Sequence, residues 1–205
     1  MTPSSQLPPV PSKRTYTPKT LMADIAWMLR HLEDIRAAHR AGRVDKAFAE
    51  RIMLAVTHVN GCRYCDYFHA RQALAVGIDE AELQRMYAGE FGHLPPEQTV
   101  AIAFAQHFAE QEGRPVPDAR RQMQAYYGPD IARDIIVYIH MITMGNLLGN
   151  SADALLFRLR GRPMQGSKFS DEIAVALMTV TILPGSMLGG MIGKRIRGLG
   201  KLRMF

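Results

Sequence analysis

Residues 48–69 read FAERIMLAVTHVNGCRYCDYFH, and the fold turns on how this stretch divides. Phe48, Ile52, Val56 and Val59 recur at the spacing that lines apolar side chains along one helix face. Asn60-Gly61 should stop that helix, because both residues tolerate a left-handed backbone. A second helix is expected from about Cys62 to Gly77, so the chain reverses at one tight corner. Both cysteines of the chain sit on the far side of that corner.

Working outward, the same period recurs. Leu21, Ile25, Met28, Leu29 and Leu32 predict a helix upstream. Downstream, Asp79 and Glu82 make a capping box for a short helix, and Pro95-Pro96 can open another carrying Val100, Ala103, Phe104 and Phe108. Pro117-Asp118 and Pro129-Asp130 punctuate two more. No segment alternates with period two for long enough to be a strand, so an all-α fold is expected, with short helices around the cysteine-bearing one. At 205 residues the chain can bury one core. The expected division is a disordered Pro/Ser/Thr-rich lead-in over 1–20, a helical domain over 21–168, and an apolar helix with a basic tail over 169–205.

The formal charge of +6 suggests an anionic partner until its position is considered. Lys13, Arg14 and Lys19 lie in the first twenty residues, and Lys194, Arg195, Arg197, Lys201 and Arg203 in the last twelve, with no acid in either stretch. Without those eight, 17 basic residues face 19 acidic ones. Such a body is a poor phosphate-binding surface, and no basic stripe with interleaved aromatics appears, so no nucleic-acid partner is expected. Two cysteines do not make a secreted disulfide framework, and MTPSSQLPPVPSKRTYTPKT has no apolar core of a signal peptide. A cytoplasmic location is expected. Residues 173–193 carry no charge, enough for a membrane span, and Gly185, Gly189 and Gly193 form a small-residue ridge. Pro184 and the glycines equally suit packing on the protein or on another subunit, so membrane contact through 173–193 stays one of the alternatives.

If the second helix begins near Cys62, then Cys62 and Cys65 share a face, and His69 stacks one turn beyond Cys65. Unpaired N–H groups at a helix N-terminus favour a thiolate, and a spacing of three lets the two sulfurs meet. The inner sulfur, Cys65, is expected to be the anionic one, with His69 as its proton partner. Glu50, on the preceding helix, would orient the His69 ring. Tyr64 and His58 are candidates to support the thiols from outside. The same four residues, Glu50, Cys62, Cys65 and His69, also number enough to bind zinc, but their intervals match no finger or ribbon, and no metal or other cofactor is expected. His140, Met141, Met144, Trp27 and Tyr126-Tyr127 read as packing residues.

The pattern Glu50-x(11)-Cys62-x-x-Cys65-x-x-x-His69, with Asn-Gly before the first cysteine and Ala70 after the histidine, resembles the carboxymuconolactone decarboxylase superfamily, and within it the alkylhydroperoxidase D-like branch. IVYIHMITMGNLLGNSADAL also looks like that family's later helix. The resemblance implies an all-helical fold, trimeric or hexameric assembly, and thiol-dependent reduction of a hydroperoxide. It implies Cys65 as the sulfur oxidised to sulfenic acid, Cys62 as its resolving partner and proton donor, and Glu50 with His69 as the relay. An external dithiol or a lipoylated protein would be the reductant. The decarboxylases that name the superfamily lack the cysteine pair. Some peroxidase members carry histidine where this chain has Tyr64, a poorer base. The alternative is a non-enzymatic redox switch or membrane-surface adaptor using the same disulfide.

Overall fold

The computed structural model describes residues 10–181. Seven helices follow in order: α1 (Pro18–Arg30), α2 (Leu32–Ala41), α3 (Lys46–Asn60), α4 (Arg63–Ala75), α5 (Glu80–Tyr87), α6 (Pro96–Glu110) and α7 (Pro117–Leu159). Residues 169–181 are also helical, and no strand occurs among the described residues. The all-α expectation holds.

Local chemistry sets the ends. Asp45 caps α3 by accepting from the Phe48 N–H, and Gly61 closes it in the left-handed region at φ 66°. Asp79 caps α5 through the Glu82 N–H. Gly128, at φ 74°, interrupts α7 just before Pro129, so the pair marks a kink within one long element. The upstream apolar run does not make a single helix. α1 ends at Arg30 and α2 starts at Leu32, with the ring of His31 turned back to the Trp27 carbonyl at 2.9 Å.

α3 is the centre of the molecule. Ile52, Ala55 and Val56 pack against Ile102, Ala105 and Phe108 of α6 and Ile135, Ile139 and Ile142 of α7. Ile52 and Val56 are fully buried, and each contributes about 1.5–3 kcal/mol relative to exposure. Arg51 ties this helix to α5 through Glu82 at 2.6 Å. α7 has the length and apolar content of a membrane span, yet half of that window is buried against the other helices. It is the long wall on which the dithiol corner rests.

One expectation about the ends needs correction. Residues 10–20 are not a disordered lead-in: Val10 packs with Ala154 and Met164, Tyr16 is buried with Leu21 and Leu147, and Pro18 already opens α1. The lead-in lacks periodicity because it is an extended strap, held by long-range contacts that local pattern cannot reveal. Residues 1–9 lie outside the described residues. At the other end, Val175 and Met178 pack onto Tyr16, Leu21 and Ile25, and Arg158 pairs with buried Glu172 at 2.6 Å. Residues 173–181 therefore dock on the protein, while 182–205, with the glycine ridge and the basic tail, lie outside the described residues.

Candidate active site

The corner between α3 and α4 brings the two thiols together. Cys62 is the N-cap of α4: its sulfur accepts from the Cys65 N–H at 3.4 Å, and the two Sγ atoms are 2.8 Å apart. Both are free thiols. Cys62 is only 1% exposed, whereas Cys65 is partly open and lines a pocket of about 280 Å³. Met53, Tyr64, Phe68, His69, Met141, Ile142 and Gly145 form the rest of its wall, so the space beside Cys65 is apolar except for His69.

One turn after Cys65, the Nδ1 of His69 meets the Oε2 of Glu50 at 2.7 Å. The side chains are 14% and 15% exposed, so this pair is largely withdrawn from water. Glu50 reaches His69 because α3 and α4 run back past each other after Gly61. Bonding through Nδ1 leaves Nε2 available to exchange a proton with a molecule in the pocket.

The electrostatics run against the expectation of an anionic Cys65: the direction favours the thiolate on Cys62. Cys62 is lowered to about 7, first by its side-chain hydrogen bond with Cys65 and, against the cost of burial, by backbone N–H groups of Cys65 and Tyr64 and by the Lys13 charge. Cys65 is pushed up, first because its thiol bonds to Cys62, then by burial and by the Cys62 charge. The reason is positional: the cap residue collects the free N–H groups of the helix start, and Cys65 lies a turn inside. The pair therefore shares one negative charge.

The flanking candidates divide. Tyr64 stands at the pocket wall, but its hydroxyl donates to Asp153 at 2.7 Å and accepts from Arg63 at 2.9 Å, so its proton is already committed. His58 does not support the thiols. Its exposed ring meets Phe91 edge-on at 6.4 Å, and its Nε2 lies by Gly89, on the α5 side of the corner. A residue one turn before Cys62 along α3 is separated from it by the reversal at Gly61.

Several residues at the site escaped the sequence reading. Gly145 and Gly149 of α7 sit behind the sulfurs: a Cβ on Gly149 would come within 2.6 Å of the Cys62 Sγ, and one on Gly145 within 3.9 Å of the Cys65 Sγ. Asn150 donates to the Asn60 carbonyl at 2.9 Å, and Asn146 accepts from the Thr57 hydroxyl at 3.1 Å. Asp153 holds Arg63 at 2.6 Å from a fully buried position. The signal was present as Gly145-Asn146 and Gly149-Asn150, the same dipeptide repeated at one helical turn. Among the described residues, no three His, Cys, Asp or Glu side chains converge to hold a metal ion.

This geometry stands alongside a family match. Residues 24–106 match the carboxymuconolactone decarboxylase family. The matched segment runs from α1 into α6 and contains Glu50, both cysteines and His69. The chain is also similar to the uncharacterized protein YdfG of Bacillus subtilis (strain 168), with 22% identity over 130 residues, covering 60% of this chain and 88% of that protein. The near cysteine pair fits the alkylhydroperoxidase-like branch of a family that also includes decarboxylases.

Proposed function

We propose that this chain is a thiol-dependent peroxidase that reduces hydroperoxides through Cys62 and Cys65. The observation that carries the reading is a dithiol at 2.8 Å whose more open sulfur shares a pocket wall with a carboxylate-oriented histidine. Access favours Cys65 as the sulfur that meets substrate, while the charge rests on Cys62. The two facts combine in one step. As the Cys65 sulfur attacks the distal peroxide oxygen, its proton passes to the Cys62 thiolate and the O–O bond breaks. His69 gives a proton to the departing alkoxide, which leaves as the alcohol, and is reprotonated from water. Cys62, now a thiol, attacks the Cys65 sulfenic acid; its proton leaves with the hydroxyl as water, and the disulfide closes.

An external dithiol restores both thiols by exchange through a mixed disulfide. Tyr64 and Phe68 of α4 are exposed and line the pocket, a surface suited to an apolar arm such as a lipoyl group. Assembly as a homo-oligomer, trimer or hexamer, belongs to the same reading. The test is turnover: hydroperoxide should be consumed catalytically when dihydrolipoamide is supplied. Stoichiometric thiol loss without cycling under any dithiol would reject the enzyme and favour the redox switch.

A further inference from the structure

The strap over residues 10–17 is anchored at three points. Val10 is buried with Ala154 and Met164, the Tyr16 N–H donates to the Ser151 hydroxyl at 2.9 Å, and Asn150 donates to the Arg14 carbonyl at 3.1 Å. Asn150 also donates to the carbonyl of Asn60, so one amide joins the strap to the α3–α4 corner. Between these anchors, the Lys13 Nζ donates to the Gly61 carbonyl at 2.6 Å. Its stem runs alongside, 3.7 Å from where a Cβ on Gly61 would stand. Gly61 immediately precedes Cys62, and the left-handed turn there leaves no side chain between the ammonium and the sulfur's own residue.

We propose that Lys13 is a positioning residue for the dithiol: the strap carries its positive charge to the Gly61 turn, where it holds the carbonyl and stations a cation beside Cys62. The inference rests on the redox reading of the pair but concerns how its charge is set. Among the described residues, the other charges around the sulfurs are accounted for. On α4, Cys65 shares the proton with Cys62, Asp66 acts on Cys65, and His69 is paired with Glu50 of α3; from α7, Asp153 is tied to Arg63 and Tyr64; the last turn of α3 brings neutral Asn60 and Thr57. Among the described residues, Lys13 is thus the cation that reaches Cys62 from outside the helix pair, and its charge acts in the direction of the thiolate.

The test is an ultraviolet thiolate titration of the reduced, full-length protein and its Lys13→Gln, Lys13→Met and Lys13→Arg variants. Glutamine keeps a donor for the Gly61 carbonyl but removes the charge; arginine keeps both. The first thiolate midpoint should move upward in the Gln and Met variants, leaving about threefold fewer thiolates at neutral pH, and return in the Arg variant. Salt at about 1 M should narrow the gap between parent and Gln variant, as screening requires. An unchanged midpoint in Lys13→Gln overturns the proposal, as does a shift in Lys13→Met alone, which would leave only a structural tie. The readout needs no substrate. A midpoint that follows Lys13 in a protein without peroxidase turnover would sink the proposed function alone, and turnover with an indifferent midpoint would sink this inference alone.

Discussion

His69 and His140 are the same residue type in two corners of one helical core, and the contrast separates a working group from a packed one. His69 borders an open pocket, bonds Glu50 through one ring nitrogen and lies a turn from Cys65. His140 stacks on Trp27 with ring centroids 3.7 Å apart and meets Phe108 edge-on at 5.0 Å. Trp27 also stacks with His31, ring centroids 4.1 Å apart, so among the described residues this corner is a stack of rings with no carboxylate partner. Burial lowers His140 to about 4, helped by the charges of Arg120 and His31. A histidine given a counter-charge and a passage to solvent can move protons; one given only aromatic faces is kept neutral.

The largest effect expected on this contrast is at the sulfur that His69 accompanies. Cys65→Ser should abolish hydroperoxide turnover with dihydrolipoamide while leaving the helical circular-dichroism signal intact; residual cycling would place the chemistry elsewhere. His140 should matter to stability instead. Because its folded pKa lies below that of the free side chain, the unfolded state takes up a proton as pH falls through about 6.5, and the folded state does so only near 4. Stability should therefore decline by about 3 kcal/mol across that window, a slope measured by denaturant unfolding at several pH values. His140→Leu should flatten it, and an equal slope in the variant would assign the acid sensitivity to other groups.

Glu50→Gln should lower turnover roughly tenfold to hundredfold, since the ring keeps a neighbour but loses its counter-charge. Steady-state kinetics with thiol content held equal would check it, and parent-like rates would make the pair structural. Gly149→Ala tests the wall behind Cys62: the added methyl must displace the sulfur or α7, at about 1–3 kcal/mol of overpacking, partly offset by better helix propensity. Thermal unfolding together with the rate of disulfide closure would register either shift. His58→Ala should change turnover least, within about threefold, because exposed substitutions away from a site are usually near neutral. A larger loss would bring His58 back to the thiols.

Much of the dithiol corner was legible in the chain. Helix period, the Asn60-Gly61 stop and the intervals from Glu50 to His69 all act within one hairpin, so local chemistry decides them. Less legible was whatever depends on α7 crossing that hairpin. Neither the seating of Cys62 against Gly149 nor the Asn150 bridge to Asn60 follows from spacing within residues 48–69. The strap was misread for a related reason: its backbone bonds to Ser151 and Asn150 reach residues more than a hundred positions away, and an extended segment held that way has no period. The charge distribution failed on a finer point. Helix-start reasoning identified a stabilised thiolate but put it on the inner sulfur, whereas the cap position itself gathers the N–H groups.

The central claim is that Cys65 meets the peroxide and Cys62 resolves it. Its most direct test is dimedone trapping after one equivalent of hydroperoxide, mapped to the individual sulfur by peptide mass spectrometry in Cys62→Ser and Cys65→Ser. The label should appear on Cys65 when Cys62 is absent, with a Cys62–Cys65 disulfide and no label in the parent protein. A label on Cys62 in Cys65→Ser, with Cys65 unmodified in the other variant, would contradict the account.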